Sequence, residues 1–257
     1  MDWSELYLFT LIFMRVTGFV LFNPILNRST LTNLFRAGMI MVLSVFVMGV
    51  VEEGPAALPG TVVEFGLRLL LELGIGFVLG FVMQLLFMVI QVGGEVIDNQ
   101  MGLTMAQVYD ASSQINMTVT ASLLNVLLVL DFFAENGHYT MLRIFLGSQQ
   151  VVPFGEVAFG QAVASGIVEI FLSSMVLAVK LAMPILAAEL LGELGMGILM
   201  KAIPQINAFV INIELKVIVG LVLLFLFLTP INEFLLDAEK GMLNSMGRML
   251  EIIGASG

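Results

Sequence analysis

Glu95, Asp98 and Asp110 lie within one polar segment, residues 93–122, that reads GGEVIDNQMGLTMAQVYDASSQINMTVTAS. Carboxylates gathered in this way could hold a cation or pass protons. No matching chain of acids runs through the rest of the sequence, and the simpler reading makes them solvated loop charges. Two cations, Arg15 and Lys180, stand in the middle of apolar runs. A cation at the centre of a membrane helix costs about 2.5–3.5 kcal/mol on insertion scales, so it faces a carboxylate or a wet cavity. A conduction path would meet that demand. A structural ion pair inside a bundle meets it more simply, with Glu189 or Glu193 as candidate partners for Lys180. His138 could act as a general base, but after Asn136-Gly137 it reads as a turn residue that starts a helix. The sequence has no cysteine and one histidine, which rules out thiolate and multi-histidine metal sites. It holds no Ser/His/Asp arrangement and no phosphate-binding glycine motif, so neither an enzyme nor a cofactor is expected.

The elements around these residues belong to a membrane protein. Of 257 residues, 59% are hydrophobic and 12% charged, with a mean hydropathy of +1.05; soluble domains carry about 25% charged residues. The net charge of −10 argues against nucleic acid and against tight binding to anionic headgroups. Apolar blocks cover roughly 6–22, 37–51, 73–92, 119–133, 167–188 and 217–236. A straight span needs about 20 residues, so six spans are expected, with the second and fourth blocks short. The start, MDWSELYLF, has no basic residue before its apolar run, so the first block is expected to be a retained helix and not a cleavable signal. Counting Arg28, Arg36, Lys201 and Lys216 against Arg68, Arg143, Lys240 and Arg248 gives four basic residues on each side, so orientation stays open.

Further local signals follow. Asn23-Pro24 should end the first helix, and Thr32 or Asn33 could cap the second. Pro and Gly make loops of 52–60 and 152–155. Arg68 and Glu72 form an i,i+4 pair, and Gly76 and Gly80 make a small-residue face for close helix packing. Glu72-Leu73-Gly74-Ile75-Gly76 is echoed by Glu193-Leu194-Gly195-Met196-Gly197, a possible internal repeat. The tail, 237–257, is short and mildly amphipathic. Gly93–Ser122 itself reads as a break in the apolar chain whose backbone lines a passage and does not face lipid. Most of the 18 methionines are expected to be ordinary packing; for Met101 and Met105, packing and an adaptable seal are both open.

Three stretches together resemble one family. Gly94-Glu95-Val96-Ile97-Asp98-Asn99-Gln100-Met101-Gly102-Leu103-Thr104-Met105-Ala106 is similar to its GE…QMG signature. Asn136-Gly137-His138 with Leu142 is similar to its NGH turn, and Pro204-Gln205-Ile206-Asn207-Ala208-Phe209, then Lys216 and Gly220, to its PQ…K…G segment. The family is FliR, the flagellar and type III export-gate subunit, and the resemblance covers essentially the whole chain. It implies an all-α membrane protein of about six apolar helical segments, some short or broken, packed in a hetero-oligomeric helical export gate. The implied partners are FliP-like, FliQ-like and FlhB-like subunits in the bacterial inner membrane, and the implied cargo is unfolded flagellar protein.

The same resemblance implies one domain, 1–257, with a gate or plug loop near 93–118. That puts Met101, Gly102, Met105, Ala106, Val108 and Asp110 at or near the closed gate, and Glu95, Asp98, Gln100 and Lys216 in polar contacts that fix the gate helices. Two departures from the family pattern stand out: Asp110-Ala111-Ser112-Ser113 lacks the family's Pro and Gly, and Glu214 precedes Lys216, with which it could pair locally. Two alternatives remain at this point. One is a secondary transporter of a small solute, with its site at Lys180, Arg15 and a broken helix near Gly93. The other is a structural scaffold tolerant of polar residues at Met101 and Met105.

Overall fold

The computed structural model describes residues 2–28, 31–51, 58–103, 107–110, 115–202 and 208–256, with side chains at 107–110, 115, 116, 199, 200, 202 and 208–214 excepted. Helix α1 (Trp3–Phe22) starts where the Glu5 carboxylate accepts from the Asp2 amide. It ends at Asn23, which is buried and whose Oδ1 accepts from the amides of Ile25 and Leu26. Helix α2 (Asn33–Val50) is capped by Thr32, which accepts from the Phe35 amide. The charged part of the 52–60 loop lies outside the described residues.

Helix α3 (Val62–Met101) has 40 residues and corrects the expected boundaries. The apolar block predicted a helix over 73–92 followed by a break at Gly93; the helix instead runs unbroken to Met101. The reason is packing. A Cβ on Gly93 would lie 2.7 Å from the Leu181 side chain, and one on Gly94 would lie 2.5 Å from the Ala121 backbone. Both glycines therefore admit a neighbour and are not hinges. The expected Arg68–Glu72 pair also does not form. Arg68 donates to Glu64 at 2.6 Å and to the Tyr7 hydroxyl at 3.3 Å, because Glu72, fully buried, is taken by Arg15 of α1 at 2.6 Å.

After α3 come two short antiparallel strands, β1 (Gln107–Asp110) and β2 (Ile115–Thr118), paired from Gln107↔Thr118 to Asp110↔Ile115. The expected loop thus contains a short hairpin: Ile115-Asn116-Met117-Thr118 alternates apolar and polar, but four residues are too few for that pattern to stand out. Helices α4 (Val119–Ala134) and α5 (Gly137–Val151) follow, bent by 68° at a turn where Asn136 has φ +59°. Helix α6 (Gln161–Ala202) has 42 residues and keeps Pro184 inside it, again longer than the expected 167–188. The last expected block, 217–236, is split: α7 (Ala208–Leu226) ends and α8 (Leu228–Gly254) starts with a bend of 61°. Thr229-Pro230 sits in the first turn of α8, where the missing proline N–H costs no helical bond. The tail is thus most of a 27-residue amphipathic helix whose Leu235, Met242, Met246, Met249 and Ile253 are buried.

Four described helices are long and apolar enough to cross a membrane, and two bent pairs bring the count to as many as six. Glycines set the central contact. A Cβ on Gly76 would lie 2.1 Å from the Arg15 carbonyl oxygen, one on Gly18 2.3 Å from that of Leu73, and one on Gly80 2.8 Å from the Phe22 backbone. Tyr7, Arg15 and Phe22 meet α3 at successively later positions, so α1 and α3 run in the same direction. Phe159, Leu181 and Glu193 do likewise against Gly74, Gly93 and Gln100, so α6 also runs with α3. The core gathers along this central helix.

Candidate functional site

The last two turns of α3 carry most of the polar residues singled out above, and the structure gives each a place. Asp98 is fully buried. Its Oδ2 accepts from the Thr120 amide at 2.8 Å and its Oδ1 from the Thr120 hydroxyl at 2.5 Å. Asp98 therefore satisfies an orphan amide in the first turn of α4 from another helix. This overturns its reading as a solvated loop charge. The same contact ties the helix that leads into the hairpin to the helix that leads out of it, next to the Gly94–Ala121 backbone approach. Gly102 then ends α3 in a left-handed cap with φ +80°, and the Leu103 amide donates back to the Asp98 carbonyl at 2.8 Å.

Gln100 and Lys216 meet through a third residue. Gln100 Nε2 donates to Glu193 Oε1 at 3.3 Å, and Lys216 Nζ forms an ion pair with the same oxygen. Glu193 thus joins α3, α6 and α7. One turn earlier on α6, Glu189 is also buried, with Oε1 unpartnered. Met101, fully buried, packs where Gly220 leaves room: a Cβ there would lie 2.5 Å from Met101 Cγ and 2.8 Å from Glu189 Oε1. The glycine of the PQ…K…G segment and the methionine of the GE…QMG segment are therefore two halves of one contact.

The remaining candidates are spread more widely. Glu95 is exposed on α3 and makes no hydrogen bond or ion pair among the described residues. Val108 and Asp110 lie in β1, opposite Met117 and Ile115. Met105, Ala106, the 111–114 turn, residues 204–207 and the Glu214 side chain lie outside the described residues. Arg15 lines no passage. Its Nε pairs with Glu72, its Nη1 donates to Ser148 Oγ at 3.2 Å, and its guanidinium lies 4.1 Å over the Phe154 ring. The other Glu72 oxygen accepts from the Gly155 amide at 2.8 Å. Lys180 takes neither Glu189 nor Glu193; it is exposed on α6, and Glu193 belongs to Lys216. With α3 unbroken at Gly93 and Lys180 on the outer surface, the transporter site expected there is not formed.

Sequence reasoning missed Thr120, Glu72 as partner of Arg15, Glu193 as partner of Lys216, and Glu239. A Cβ on Gly137 would lie 2.2 Å from Glu239 Oε1, so the glycine of Asn136-Gly137-His138 makes room for a buried carboxyl of α8. Each of these contacts joins residues far apart in the chain, and no local signal marks them. Among the described residues, no group of three or more His, Cys, Asp or Glu could hold a metal ion.

Residues 6–241 match the model of the bacterial export proteins, family 1. The flagellar biosynthetic protein FliR of Bacillus subtilis is 23% identical, over 96% of this chain and 96% of its own length. FliR of Escherichia coli K12 is 29% identical, over 91% and 88%. The surface presentation of antigens protein SpaR of Shigella sonnei is 26% identical, over 84% and 82%. With its family match and its FliR relatives both extending over nearly its whole length, this chain belongs to the bacterial export proteins, family 1, the FliR family.

Proposed function

We propose that the protein is one subunit of a flagellar or related type III export gate. It would sit in the bacterial inner membrane with FliP-like, FliQ-like and FlhB-like partners and pass unfolded export substrates. The reading gives it no catalytic role. The observation that carries the proposal is the clamp at the end of α3. Asp98 grips Thr120, so the two helix ends that flank the hairpin are held to each other. A segment held in this way is suited to close a passage, because its stem stays in place while its tip is displaced by cargo.

In this account Met101, Gly102, Met105, Ala106, Val108 and Asp110 belong to the plug or its root. Gln100 and Lys216, joined through Glu193, hold the root to α6 and α7. Glu95, exposed beside the clamp, is left for a contact with another subunit. Deleting residues 105–112 tests the assignment. The assembled complex should be recovered in normal yield, and its closed channel should leak small ions in planar bilayer recordings. An unchanged closed-state conductance would sink the plug role of this hairpin.

A further inference from the structure

Lys180 is used by none of the contacts described above. Between Glu169 and Glu189, α6 carries no other charged residue. At 1.5 Å per residue, Lys180 lies about 17 Å along the axis from the first acid and about 14 Å from the second. That is close to half the ~30 Å hydrocarbon thickness, too deep for a lysine stem to reach either interface. The side chain is exposed and makes no hydrogen bond or ion pair among the described residues. Around it, Leu172, Val176, Val179 and Met183 form an exposed apolar stripe at helical spacing. Pro184, with no N–H, cannot donate to the Lys180 carbonyl, so that turn lacks one helical hydrogen bond. The two acids nearest its C-terminal side face elsewhere: half-buried Glu193 holds Lys216, and buried Glu189 packs by Gly220.

We infer that this face of α6 is covered by a transmembrane helix of a different, neighbouring subunit, which places an Asp or Glu opposite Lys180. The charge decides the occupant. Lipid tails offer nothing to a cation at this depth, and a two-fold contact of the face with itself would set Lys180 against Lys180. An apolar helix with one acid satisfies both the stripe and the ammonium. The inference rests on the hetero-oligomeric reading above and adds to it a surface and its chemistry.

The test uses the full chain in membranes that also contain the other gate subunits. p-Benzoylphenylalanine is incorporated at Val176 or at Met183, about one turn to either side of Lys180, and cross-linked peptides are sequenced by mass spectrometry. The expected product is a peptide from an apolar helix of another chain, with Asp or Glu within about one turn of the cross-link. Lys180→Glu should lower its yield about tenfold or more, and Lys180→Arg should keep it. Lys180→Met, which poses no obstacle to insertion, should lower the yield in the same direction by stranding the partner's acid. A peptide from a second copy of this chain, a lipid adduct alone, a partner helix without an acid, or yields indifferent to Lys180→Glu and Lys180→Met would overturn the inference. Co-purification of the subunits from the same membranes reports separately on the hetero-oligomer, so a failure of this inference is distinguishable from a failure of that reading.

Discussion

Glu72 is buried between α1 and α3 with Arg15 on one oxygen and the Gly155 amide on the other. Removing one member of such a pair leaves a charge without compensation, at about 3–5 kcal/mol. Glu72→Ala should therefore markedly lower the melting temperature of the purified protein in detergent. Arg68→Ala, which removes a pair whose Glu64 partner is 39% exposed, should lower the melting temperature far less than Glu72→Ala. Asp98→Ala removes a capping acceptor worth about 1–2 kcal/mol. It should raise amide hydrogen exchange in the first turn of α4 and leave α1 unaffected; unchanged exchange at Thr120 would contradict the clamp. At this scale the sequence was a partial guide. Arg15 and Lys180 are recognisable as costly because their surroundings are apolar in sequence as well as in space. The partner of Arg15 is not, since an i,i+4 spacing such as Arg68 and Glu72 shows in a string of letters while the Arg15–Glu72 contact across 57 residues does not.

Among the elements, glycines decide which helix faces are occupied. The two Glu-Leu-Gly-x-Gly stretches lie on α3 and α6, which run in the same direction, and in each the glutamate takes a cation from a neighbouring helix: Arg15 for Glu72, Lys216 for Glu193. Their glycines differ. Gly76 is pressed against the backbone of α1, whereas a Cβ on Gly195 or Gly197 would meet nothing within 4 Å. Gly76→Ala should thus force α1 and α3 apart at about 1–3 kcal/mol or more, while Gly197→Ala, in open space within a helix, should hold or slightly raise the melting temperature of the purified single chain. Equal effects of the two would contradict the packing described. The apolar blocks predicted α1, α2 and α4 closely, because those helices end where apolar sequence ends. They under-read α3, whose last turns are polar yet stay helical because Asp98 and Gln100 find partners on other helices, and α6, which runs on past Ala188 through Glu189 and Glu193 to Ala202. The hairpin was not legible, since its strands are short and mixed in character.

As a whole molecule the chain has more apolar surface than one bilayer accounts for. Helices α3 and α6, at 40 and 42 residues, are each about 60 Å long, against a hydrocarbon core of about 30 Å. Apolar side chains stay exposed toward opposite ends of the pair, with Val62, Val63, Leu67 and Leu70 on α3 and Leu190, Leu191, Leu194 and Ile198 on α6. Surface of this kind outside lipid is covered by protein, which is what a subunit of a larger assembly requires. Membrane class was legible from composition and the export family from three motifs; which faces are left for partners became visible with the fold. The most direct test is mild-detergent purification of the chain, tagged at its C-terminus and co-expressed with its candidate partners, followed by native mass spectrometry. The account predicts a large complex with one copy of this chain and several copies of two small helical membrane proteins. A monomer or a homo-oligomer under those conditions would contradict it.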